Sequence, residues 1–175
     1  MLPSEGGLPE PVRVFVSSTY RNLASYRETL RLALQKSGLA FLGMEHFAAQ
    51  DAPPFETCFE ELDQADVYLG VIGNTYGSSP AGHDLSYTEL EYVHARDRRI
   101  PCIILVISDD ANVRVGDIDL DPARNDRLRD FRARLLQAHT VDRFTDEGQA
   151  AWMALAALRR LETRLREEAL AGARP

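Results

Sequence analysis

The chain has 175 residues, 45% of them hydrophobic and 27% charged, which suits one soluble domain with a core of its own. Its formal charge of −7 and single lysine, Lys36, leave no basic block of the kind that grips nucleic-acid phosphates. No apolar run approaches the roughly 20 residues that cross a bilayer, and MLPSEGGLPEP is no secretory leader, so a cytoplasmic location is expected. Cys58 and Cys102 form no CxxC pair and read as reduced core thiols, while the four histidines show no ligand spacing, so no metal is assigned.

Residues 1–11, rich in Pro, Gly and Glu, read as a loose tail. Val12–Val16 is a short β-branched strand that runs into Ser17-Ser18-Thr19-Tyr20. A helical stripe follows in Leu23, Tyr26, Leu30, Ala33 and Leu34, closed by Gly38. Leu39–Met44 is the second apolar run, Pro53-Pro54 breaks the chain, and Phe55, Cys58, Phe59 and Leu62 recur at helical spacing. Ala65–Gly73 is nearly continuous apolar residue, as in a central strand covered on both faces.

A Gly- and Ser-rich loop, 73–85, precedes SYTELEYVHARDRR, a helix. Pro101–Ile107 is another buried strand, followed by a polar loop to 122, a helix at about 123–138, a strand at about 139–144 and an amphipathic helix from about 146 to 171. Strict β-α alternation predicts an α/β domain with a five-stranded parallel sheet in a flavodoxin-like three-layer sandwich. The α/β unit is expected over 12–145, with 146–175 as a helix that packs on it or connects it to something else.

Two glutamates separate by position within SYTELEYVHA. At 100° per residue, Glu89 and Glu91 point about 160° apart on a helix. Ser86-Tyr87-Thr88-Glu89 matches the S-x-x-E capping box, which gives Glu89 a structural role through the Ser86 N–H. Glu91 has no such local explanation. It lies at the margin of the Leu90–Val93 stripe and points back toward the helix N-terminus, where an α/β domain keeps its ligand crevice.

VFVSSTYRNL at 14–23 and YLGVIGNTYGSSPAGHDLSYTELEYVHA at 68–95 resemble a domain of formerly unknown function related to Toll/interleukin-1 receptor (TIR) domains. More distantly, they resemble nucleoside 2-deoxyribosyltransferases. The resemblance covers roughly residues 12–107. It implies a TIR-like fold and, from enzymatic TIR domains, cleavage of the nicotinamide–ribose bond of NAD by one glutamate. NAD is then substrate, and no cofactor is implied. Glu91-Tyr92-Val93-His94-Ala95 matches the E-x-x-x-A pattern of the deoxyribosyltransferases, so Glu91 is the catalytic candidate.

Ser17, Ser18, Thr19 and Tyr20 after the first strand, together with Tyr76 and Ser86, are the substrate-contact candidates. The Ser-Ser-Thr run reads equally as a turn that caps the next helix, and Arg27 and Glu28 read as surface residues of that helix. The family resemblance also implies self-association or a NACHT/STAND-type ATPase partner, in an antiviral defence setting. A nucleoside N-glycosidase and a non-catalytic self-associating module are the alternatives.

Overall fold

The computed structural model describes residues 11–20, 22–43 and 55–172. Most of the expected tail, Met44 and the Pro53-Pro54 break lie outside these residues. The elements are β1 (Arg13–Ser18), α1 (Ala24–Lys36), β2 (Ala40–Leu42), α2 (Phe55–Leu62), β3 (Val67–Ile72), α3 (Tyr87–Asp97), β4 (Cys102–Ile107), α4 (Pro122–Ala138), β5 (Asp142–Phe144) and α5 (Glu147–Gly172). All strand pairs are parallel, in the order β2-β1-β3-β4-β5, which is the expected flavodoxin-like sheet.

Strand alternation sorts the core into two layers. Val14 and Val16 of β1, with Val67, Leu69 and Val71 of β3, face one side, where they meet Leu30 and Leu34 of α1 and Ala150, Ala154 and Leu158 of α5. Phe15, Tyr68 and Ile72 face the other, against Leu62 of α2, Tyr92 and Ala95 of α3, and Phe131 and Leu135 of α4. Leu30 and Leu34 are fully buried, and each such side chain contributes about 1.5–3 kcal/mol by leaving water. The amino half of α5 therefore belongs to the same core as the sheet.

Local chemistry accounts for most boundaries. Leu39 N–H reaches Leu34 O at 3.0 Å and Gly38 N–H reaches Gln35 O at 3.1 Å, a Schellman closure of α1 with Gly38 at φ 74°. Asp121 caps α4 by accepting from Ala123 N–H at 2.9 Å, and Pro122 opens the helix. The fifth strand is shorter than the sequence suggested. Only Asp142–Phe144 pairs with β4, at the sheet edge.

Candidate active site

The chain runs from β1 outward to β2, then returns to β3 and continues through β4 to β5. The sheet's switch point therefore lies between β1 and β3, at their carboxyl ends. There Ser17 pairs with Gly70 and Ser18 with Val71. The strand period sends Ser17 to the α3 face, with Phe15, and Ser18 to the α1 face, with Val14 and Val16. The neighbouring serines thus enter different layers.

Ser17 meets Glu91. Its hydroxyl donates to Glu91 Oε2 at 2.5 Å, and the two residues are 1% and 2% exposed. Two nearby groups feel the carboxylate's charge. Burial, followed by Glu91, pushes the Cys58 thiol up to about 11. The Tyr68 hydroxyl is raised well above its usual range by the same two causes, against a hydrogen bond with Ser17. Gly70 keeps the wall beside this pair thin, because a Cβ there would stand 3.0 Å from the Tyr68 ring and 3.1 Å from Ile104.

Ser18 meets Arg27. The Arg27 guanidinium donates to Ser18 Oγ and to Val16 O, both at 2.9 Å, and lies over the Phe41 ring. Arg27 is 2% exposed, which corrects its reading as a surface residue. The signal was in the sequence, since position 27 falls on the stripe with Leu23, Leu30 and Leu34. Thr19 packs on Gly77, and Tyr20 is 48% exposed.

Glu89 is buried as deeply as Glu91, at 1% exposure. The Ser86 half of the expected capping box is present, with Oγ accepting from Glu89 N–H at 3.3 Å. The other half is replaced. The Glu89 carboxylate accepts from the Tyr76 hydroxyl at 2.7 Å and pairs with Arg134 of α4. Ser86 N–H instead donates to the Tyr76 oxygen at 3.2 Å. The tyrosine thus stands between cap and carboxylate on one carboxylate oxygen, and Arg134 holds the other. Tyr76 and Ser86, expected to contact substrate, are committed to this network and are 4% and 0% exposed.

Helix α4 holds the whole β3–α3 loop, which sequence reasoning missed. Arg132 donates to Gly73 O at 2.7 Å and to Asn74 Oδ1 at 2.8 Å, Arg124 donates to Gly77 O at 2.7 Å, and Arg127 donates to Asp84 O. Two open cavities flank the carboxyl edge. One of about 730 Å3 includes Asn74, Asp109 and Arg132, and one of about 770 Å3 includes Ser25, Asp117 and Glu147. Neither is lined by Glu91 or Ser17.

A five-stranded parallel sheet in this order, with helices on both faces, defines a flavodoxin-like α/β domain. The chain belongs to the family described as a domain of unknown function, DUF4062, whose profile matches residues 13–154. None of the curated proteins matches it. Among solved structures, the TIR domain heterodimer of RPS4 and RRS1 is similar at a TM-score of 0.54 and 12% identity, covering 85% of this chain and 96% of that one. The TIR domains of the activated Roq1 resistosome, which directly recognises the pathogen effector XopQ, are similar at 0.54 and 11% identity, covering 84% and 99%. At such identities the likeness is one of fold. Among the described residues, no helix is long and apolar enough to cross a membrane.

Proposed function

We propose that this chain is an effector domain that cleaves the nicotinamide–ribose bond of NAD, in a bacterial defence setting, with Glu91 as its catalytic carboxylate. The observation that carries the reading is the position of Glu91, which lies in a nearly dry environment at the switch point and is bonded to Ser17. In this reaction the C–N bond breaks with its electron pair going to nicotinamide, which leaves neutral and needs no general acid. Positive charge develops on the anomeric carbon and ring oxygen, and a poorly solvated carboxylate stabilises it strongly. Water then bonds to the carbon and gives its proton to the carboxylate or to solvent.

Ser17 occupies the carboxylate in the free protein, so ribose binding exchanges that hydroxyl for one of the sugar's. Clustering is the proposed trigger of the exchange. Its support is that the similar TIR domains were solved in a heterodimer and a resistosome. A NACHT/STAND-type ATPase is the proposed partner that would impose it.

The test is a time course of nicotinamide release at high protein concentration and under artificial clustering. Glu91→Gln should lower the rate roughly 100-fold or more, while Glu89→Gln, if folded, keeps most of it. No release by folded, clustered wild type overturns the reading. Base release from nucleosides without loss of NAD would move the same carboxylate to a nucleoside N-glycosidase. The 2% exposure of Glu91 favours a second reading, a self-associating module without catalysis. In that case Glu91→Gln leaves signalling intact while substitutions on the surface abolish it.

A further inference from the structure

At the opposite edge of the sheet, where β4 and β5 begin, lies an open cavity of about 740 Å3. Four arginines line it: Arg96 and Arg99 at the end of α3, and Arg160 and Arg164 from α5. His139 and Thr140 complete its polar wall, and no carboxylate is among its lining residues. The chain as a whole carries a net charge of −7, so this concentration of positive charge runs against its composition.

Arg99 adds an independent observation. Ile100 N–H bonds to Ala95 O at 2.9 Å and Arg99 N–H to Arg96 O at 3.0 Å, the same Schellman closure that ends α1. In α1 the left-handed position is filled by Gly38, but in α3 it is filled by Arg99 at φ 59°, the one non-glycine residue with positive φ among those described. A side chain there is unfavourable, and glycine would close the helix better. The sequence instead places an arginine there, and it lines the cavity.

The negative end of the α3 dipole explains cations on Arg96 and Arg99. It does not explain Arg160, which comes from a different segment and lines the same cavity. Asp142 offsets Arg160 at 3.4 Å. Among the described residues, no carboxylate lies within ion-pair distance of Arg96 or Arg99.

We propose that this cavity is a binding site for a small phosphorylated anion, of the pyrophosphate or nucleoside-diphosphate class, separate from the Glu91 site. The planar guanidinium fork matches phosphate oxygens two at a time, and the Thr140 hydroxyl and His139 ring supply further polar contacts. The volume is that of an ordinary small-molecule site. His139 reports on occupancy. Burial first, and the Arg96 charge second, lower its pKa in the free protein, and its ring lies 2.9 Å from the Tyr92 hydroxyl. A bound anion offsets Arg96 and raises that pKa.

The experiment is calorimetric titration of the full chain with pyrophosphate and, separately, with ADP, near physiological ionic strength. Histidine resonances are followed by NMR in parallel. Saturable binding of either probe is expected, with the His139 pKa rising on saturation. Tighter binding of ADP identifies a nucleotide, and equal binding identifies the free phosphoanion. Arg96→Gln with Arg160→Gln should weaken binding by about tenfold or more.

Arg99→Gly separates ligand binding from helix capping. It should raise the melting temperature by about 2–4 °C while weakening binding. Stabilisation with unchanged affinity would return Arg99 to a capping role and overturn its place in the site. Absence of saturable binding, binding unmoved by the double variant, or tighter binding of a glutamate-rich peptide than of either probe would overturn the proposal.

Discussion

Ser17 and Glu91, 74 positions apart in the chain, share a hydrogen bond of 2.5 Å with both side chains buried. The bond exists because a strand and a helix deliver their side chains to the same layer. Ser17 stands on the α3 face of β1, and Glu91 lies on the side of α3 that packs against β1.

Ser17→Ala should therefore destabilise the fold by about 1–3 kcal/mol, because it deprives a buried carboxylate of a donor. Glu91→Gln keeps an acceptor for Ser17 and should cost less. Urea unfolding of the two single variants and the double variant gives the coupling energy directly. Additive effects would remove this bond from the account of stability.

Glu89 and Arg134 form an unequal pair, at 1% and 52% side-chain exposure. If Glu89 is neutralised, the arginine is left where water can solvate it. If Arg134 is removed, a carboxylate is left buried with only Tyr76 and the helix end to stabilise it. Arg134→Met should cost about 3 kcal/mol and Glu89→Gln clearly less, measured by denaturant unfolding. Equal losses would show that the pair's charge is not what stabilises this corner.

Asp63 links α2 to α3. Hydrogen bonds from Arg98 and then His94 hold its carboxyl down to about 2, from an ordinary 3.8. A depressed folded-state pKa stabilises the fold above about pH 4, and this contribution disappears as the pH falls through about 2. Asp63→Asn should flatten the stability profile across that window. An NMR titration of the wild-type carboxyl should show its midpoint near 2. A midpoint at the ordinary value would mean that the cluster does not persist in solution.

The strands and most helix ends were legible because they depend on neighbours in the chain, and the strand order followed from the fold class that their alternation implies. Continuous apolar runs at 65–73 and 101–107 become β3 and β4, Gly38 ends α1, and Ser86 caps α3. The E-x-x-x-A pattern and the helical angle selected Glu91 over Glu89, and local arguments went no further. That Ser17 and Ser18 enter opposite layers was available from the period of two, but which helix waited on each side was not.

Composition and periodicity by themselves determined that this chain makes a parallel α/β sheet, with the SYTELEYVHA helix capped at Ser86, since alternation and capping act over a few residues. Only the tertiary structure decided the partners. It buried Glu89 against Arg134, 45 positions away, and Arg27 beneath Ser18, and it gathered four arginines from two distant helix segments into one cavity. Charges and hydroxyls on separate elements meet according to how the layers stack, and no local pattern encodes the pairing of groups so far apart in the chain.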